Sequence, residues 1–138
     1  MSAIPDAFDD LLALARSTRE QAYAPYSNFP VGAALLTRDG RRFSGCNVEN
    51  ASYGLCNCAE RTALFSAIAA GCRPGDFAAL AVVADTENQV SPCGACRQVM
   101  SELCDDAMPV LLANLHGDTQ QTSVAALLPG SFKLPLSA

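Results

Sequence analysis

Charge is scarce in these 138 residues: Asp, Glu, Lys and Arg supply 17% of the chain, against about 25% in an average soluble domain. A small monomer covers its surface with polar groups, so a chain this short of them is expected to bury apolar surface against other subunits. Histidine is nearly absent. The single copy, His116, stands in a His-Gly-Asp turn and reads as exposed rather than as a ligand. Basic residues are outnumbered, nine Lys and Arg to fourteen Asp and Glu, for a net charge of −5. Their densest cluster, Arg38, Arg41 and Arg42, surrounds one turn and reads as a solvated hairpin tip. Polynucleotide binding runs on clustered Lys and Arg, so nucleic acid is not an expected partner. Nor is a membrane. No apolar stretch approaches the ~18 residues of a span, and the best candidate, Ala63 to Cys72, is interrupted by Ser66 and closed by Arg73. The first ten residues carry acids and no basic segment, so no signal or transit peptide is expected and the cytoplasm is the expected location.

Half of the chain is hydrophobic, and its length fits one compact domain spanning residues 1–138 that can bury a core without a disulfide or a metal. Seven cysteines, Cys46, Cys56, Cys58, Cys72, Cys93, Cys96 and Cys104, are an odd number, which argues against a secreted disulfide scaffold. In a reducing compartment closely spaced cysteines bind metal or do chemistry. Cys46, Cys72 and Cys104 read as small buried apolar residues.

Asp6 can cap a first helix running to about Tyr23, with Phe8, Leu11, Leu12, Ala15 and Ala22 along one side. Pro25 and Pro30 keep the next segment irregular. An apolar strand, Val31 to Leu36, meets the Asp39-Gly40 turn and returns as Arg41 to Cys46. Residues 47–57 read as a loop, and Asn57 can cap a helix from Cys58 to Ala70 that Gly71 ends. Phe77 to Val83 reads as a buried strand, Pro92 to Cys104 as a third helix opened by Ser91-Pro92, and Pro109 to Leu115 as a further strand. His116-Gly117-Asp118 returns the chain through Thr119 to Thr122, and a last helix spans Ser123 to Leu128. The expected fold class is α/β, a three-layer α/β/α sandwich around a five-stranded mixed sheet. The last connection is too short for a crossover helix, so the final two strands should pair antiparallel.

Two segments carry chemistry: Cys58-Ala-Glu60-Arg61 and Pro92-Cys93-Gly-Ala-Cys96-Arg97. Both fall at a helix start, where free backbone N–H groups and the helix dipole favour thiolate over thiol. Cys93 and Cys96 share one face of a first turn, and the crossover through Phe77 to Val83 can bring Cys58 to them. Three sulfurs leave one position open, as catalytic zinc requires and structural zinc does not. Cys56 offers the competing reading, a closed four-cysteine structural site. Glu60 lies near enough to reach a water in the open position and to carry its protons. The order Cys-x-Glu then Pro-Cys-x-x-Cys is the arrangement of the zinc deaminases. Three thiolates leave an excess of negative charge, which Arg61 or Arg97 could offset.

The chain resembles the small, homotetrameric cytidine deaminases. The likeness runs through Tyr23-Ala-Pro-Tyr-Ser-Asn-Phe29-Pro-Val-Gly-Ala-Ala, Gly45-Cys-Asn47-Val-Glu49-Asn-Ala-Ser-Tyr53, the two cysteine segments and Leu127-Leu-Pro-Gly-Ser-Phe132. The resemblance implies one zinc per subunit on Cys58, Cys93 and Cys96, with Glu60 as the catalytic proton shuttle and Arg61 compensating charge. It implies that Phe29 stacks on the pyrimidine, that Asn47 and Glu49 bind the ribose, and that Ala59 also contacts substrate. Tyr53 and Phe132 are then expected in a neighbouring subunit's active site. The implied reaction converts cytidine and 2′-deoxycytidine to uridine and 2′-deoxyuridine plus ammonia, in pyrimidine salvage. Two other readings share the zinc core: a nucleic-acid or nucleoside-antibiotic (blasticidin-type) deaminase, and a zinc-stabilised interaction module for which Glu60 is dispensable.

Overall fold

The computed structural model describes residues 4–136, with side chains from Phe8 onward. Its order is α1 (Ile4–Arg19), β1 (Val31–Thr37), β2 (Arg42–Cys46), a 3₁₀ turn (Tyr53–Leu55), α2 (Ala59–Ala69) and β3 (Phe77–Ala84). The chain continues through α3 (Gly94–Leu103), β4 (Pro109–Ala113), β5 (Thr119–Ser123) and α4 (Val124–Leu127). The five strands form one mixed sheet in the order β2-β1-β3-β4-β5. Only β3 and β4 run parallel; β4 and β5 pair antiparallel through the short turn, as their spacing required.

Strand side chains alternate between faces, and here each face has its own core. Ala34, Ala79, Ala81, Val83, Leu111 and Ala113 meet Phe8, Leu11 and Ala15 of α1. Ala33, Leu35, Leu80, Val82, Val110 and Leu112 meet Ala63, Leu64 and Ala67 of α2 and Cys96 and Met100 of α3. Three layers result. Glycines set the closest approaches. A Cβ on Gly32 would stand 1.9 Å from the Ala15 carbonyl of α1, and one on Gly45 would stand 2.4 Å from the Ala63 nitrogen of α2.

Several ends differ from the expected ones. α1 begins at Ile4, so Asp6 lies within it, and it stops at Arg19 rather than near Tyr23. Tertiary pairing decides that stop: Tyr23 bridges Val48, donating its N–H to the Asn47 carbonyl at 3.0 Å and accepting from Glu49 N–H at 2.8 Å. Asn57 is not the cap of α2. Its backbone is held by two bonds to Val48, so the cap position passes to Cys58. Likewise α3 starts at Gly94, with Cys93 in the cap position. Of the three cysteines read as buried, Cys72 and Cys104 are and Cys46 is partly exposed. The hairpin arginines are each paired with an aspartate: Arg38 with Asp105, Arg41 with Asp39 and Arg42 with Asp10. Among the described residues no helix is long and apolar enough to cross a membrane.

Candidate metal centre and pocket

The helices α2 and α3 start side by side, and the residue at each cap position is a cysteine. Neither thiol caps its own helix, so both sulfurs are free to face a common point beside unpaired backbone N–H groups. Cys96, one turn into α3, completes the group: the three sulfurs all lie within 4.8 Å of one another. Cys58 and Cys93 stand 3.7 Å apart. Tetrahedral zinc with Zn–S near 2.3 Å places its sulfurs about 3.8 Å apart, so the cluster has the size of a zinc face. Among the described residues it is the one such group. Cys56 does not join it; its thiol lies against the backbone of Asn50, accepting from that residue's N–H at 3.3 Å.

The thiols of this cluster shift one another in opposite directions. The hydrogen bond from Cys96, with help from Arg61, pulls Cys58 down to about 5. The hydrogen bond to Cys58, and burial, push Cys96 up. Arg61 donates from its guanidinium to Cys58 Sγ at 3.3 Å, and its Nε is buried without a partner. Arg97 touches none of the three sulfurs. It donates instead to the carbonyls of Pro92 and Leu127, each at 2.8 Å, and to Ser91 Oγ at 2.6 Å. Of the two arginines, Arg61 is the one that meets a sulfur of the group.

Glu60, in the first turn of α2, is 4% exposed. Burial pushes its carboxyl up to about 7, and the neighbouring Cys58 adds to the rise. It borders a cavity of about 300 Å³ whose lining also includes Ser27, Phe29, Asn47, Glu49, Cys58, Ala59 and Cys93. Val31, Val90 and Ser91 complete the wall. Phe29 is 39% exposed and faces this space.

Asn47 is not a loose loop amide. It donates to the Phe29 carbonyl at 2.9 Å and accepts from Val31 N–H at 2.8 Å. Glu49 accepts from the N–H groups of Tyr26 at 3.0 Å and Ser27 at 3.1 Å, and from the Ser27 hydroxyl. Those bonds, the hydroxyl's first, hold its carboxyl below the usual carboxylate range. Tyr53 lies outside the cavity, in an adjoining hollow where its ring meets Tyr26 edge-on at 6.0 Å. Phe132 does not line the cavity of its own chain; it is 65% exposed on the segment after α4.

Sequence reasoning missed Ser27, whose hydroxyl touches both Glu49 and Phe29. The available signal was Ser27-Asn28, because Asn28 sits at φ +55, a conformation that asparagine tolerates better than most residues.

Residues 7–112 match the family model described as the cytidine and deoxycytidylate deaminase zinc-binding region. A cytidine deaminase of Sporosarcina psychrophila is 60% identical over 124 residues, covering 90% of each chain. A crystal structure of cytidine deaminase from Burkholderia pseudomallei superposes with a TM-score of 0.89 at 64% identity, over 90% of this chain and 98% of that one. The cytidine deaminase structure from Mycobacterium tuberculosis gives 0.76 at 38% identity, over 92% and 98%.

Proposed function

The chain belongs to the cytidine and deoxycytidylate deaminase zinc-binding family, and from that premise we propose that it hydrolyses free cytidine and 2′-deoxycytidine to uridine and 2′-deoxyuridine plus ammonia. The observation that carries this reading is one juxtaposition. A buried carboxylate and a zinc-sized group of three sulfurs meet in a cavity that also presents an aromatic ring, an amide and a carboxylate. Cys58, Cys93 and Cys96 hold the metal, one per subunit. When bound, zinc supplies Lewis-acid activation of water.

Glu60 carries protons. It takes one proton from the attacking water and delivers it to ring N3 as the C4–O bond forms. It then takes the remaining proton from the new C4 hydroxyl and delivers it to the exocyclic amine as the C4–N bond breaks and ammonia leaves. Supporting this role, a carboxyl near 7 has both of its forms available at neutral pH, the optimum for general acid–base work. Arg61 offsets thiolate charge through Cys58. Phe29 offers its face to the base, Asn47 and Glu49 bind the sugar, and Ala59 lines the same wall.

Residues 1–138 act as one domain of a cytoplasmic homotetramer serving pyrimidine salvage. The scarcity of charge and the exposed Tyr53, Phe132, Leu134 and Leu136 support subunit association; Tyr53 and Phe132 then reach a neighbour's cavity. The test is ammonia release from a panel of nucleosides and nucleotides, with zinc content measured on the same samples. Turnover of cytidine and 2′-deoxycytidine at one zinc per chain is expected. Inactivity on both by zinc-loaded protein overturns the proposal.

A further inference from the structure

We infer that Ser27 is the positioning residue that locks the sugar-binding and base-binding sides of the cavity into one unit. The inference rests on the roles proposed for Glu49 and Phe29. A serine hydroxyl has one proton to give and two lone pairs to receive with. In this loop the proton goes to Glu49 Oε2, and one lone pair takes the Phe29 N–H at 3.0 Å. One hydroxyl thus touches both residues.

The surrounding bonds show why this link matters. Of the roughly four acceptor sites of a carboxylate, three on Glu49 are occupied by Tyr26 N–H, Ser27 N–H and the Ser27 hydroxyl. One remains for a ligand, and the other three fix its direction. Phe29 is held at its carbonyl by Asn47 and at its N–H by Ser27. Between them Asn28 takes a left-handed backbone at φ +55, tied back by its N–H to the Ala24 carbonyl at 2.9 Å. The turn therefore aims the Phe29 ring while its serine aims the carboxylate. Loss of the hydroxyl removes one bond from each at once, from Glu49 Oε2 and from the Phe29 N–H. Ser27 itself moves no proton of the reaction.

The experiment is steady-state kinetics on zinc-loaded Ser27→Ala and Ser27→Thr, with Ser27→Ala also placed on Glu49→Gln and on Phe29→Ala. A lost hydrogen bond to a charged group predicts KM for cytidine raised about 10–100-fold in Ser27→Ala, with kcat changed by less than about threefold and zinc content unchanged. Ser27→Thr, which keeps the hydroxyl, should restore KM. On each background Ser27→Ala should cost less than it does alone, because its partner is already lost. Full multiplicative effects on either background, or failure of threonine to rescue, overturn the inference. If Glu49→Gln and Phe29→Ala themselves leave KM unaltered, the proposed reading of the cavity fails, and the role of Ser27 with it.

Discussion

Gly45→Ala is the substitution that most directly tests how the sheet positions the metal centre. Gly45 is buried in β2, and a methyl group there would meet Ala63 N at 2.4 Å, Ala59 O at 2.6 Å and Thr62 Cβ at 2.8 Å. Two of these are backbone atoms of α2, so no rotamer relieves the clash. Ordinary contact begins at 3.4 Å, so α2 must retreat by about 1 Å, and Cys58 and Glu60 retreat with its first turn. Overpacking of this kind costs about 1–3 kcal/mol. With an unfolding entropy of about 2.1 cal/mol/K per residue, that is a Tm lowered by about 3–10 °C. A 1 Å displacement of catalytic groups predicts a fall in kcat/KM of about 100-fold.

Gly32→Ala is the control. Its methyl would meet Ala15 O at 1.9 Å and Arg19 N at 2.7 Å, on α1 across the sheet. It should destabilise at least as much, yet keep zinc and kcat in the folded fraction. Calorimetry at fixed protein concentration, zinc content and kinetics on both variants decide the matter. An unmoved Tm in Gly45→Ala, or an equal fall in kcat/KM in Gly32→Ala, refutes the reasoning.

Four further outcomes follow from the structure and the proposed function. Glu60→Gln should keep zinc while kcat falls about 10²–10⁴-fold, because an amide accepts a hydrogen bond but carries no proton; turnover within tenfold of the parent rejects the role. Cys56→Ser should retain one zinc per chain, whereas Cys93→Ser and Cys96→Ser should lose it, read by metal analysis after dialysis. On the proposed homotetramer with shared cavities, Phe132→Ala should raise KM at unchanged zinc content, and sedimentation across a dilution series should show activity disappearing as the assembly dissociates; a fully active monomer contradicts that proposal. With metal chelated at pH 8, alkylation and then mass spectrometry should show Cys93, which is exposed, modified and Cys104 spared. Burial pushes the Cys104 thiol up to about 12, so its reactive thiolate stays scarce until the pH nears that value.

The features legible in the sequence were those coded locally. The Asp39-Gly40 hairpin was legible because Gly40 must adopt φ +92. The sheet-facing stripe of α1 was legible because Phe8, Leu11 and Ala15 repeat at helical spacing. The three sulfurs and Glu60 could be placed from their positions at two helix starts. Helix ends were less legible, because Asn57 and Tyr23 are claimed by pairing with Val48, a contact no local signal announces.

Arg61 and Arg97 looked equivalent in sequence, each beside a residue of the centre. Helix spacing does not separate them, since Arg61 is three residues from Cys58 and Arg97 four from Cys93, and both spacings share a face. The partners do: Arg61 donates to Cys58, whereas Arg97 is taken up by the carbonyls of Pro92 and of Leu127, 30 residues away. Ser27 escaped because its importance lies in two partners, one of them 22 residues away.

The reach of Arg97 has a consequence for how the molecule opens. A single guanidinium fastens Ser91 and Pro92, which lead into Cys93, to Leu127 at the end of α4. Beyond α4, Ser131 and Lys133 fasten the terminal segment to Ser101 on α3. The start of α3, all of α4 and the segment carrying Phe132 are thus tied together by side-chain bonds and are expected to open as one unit. Amide protons of α3 and α4 should exchange at a common rate, and a protease cut after Leu128 should loosen the approach to Cys93 from the far side of the chain.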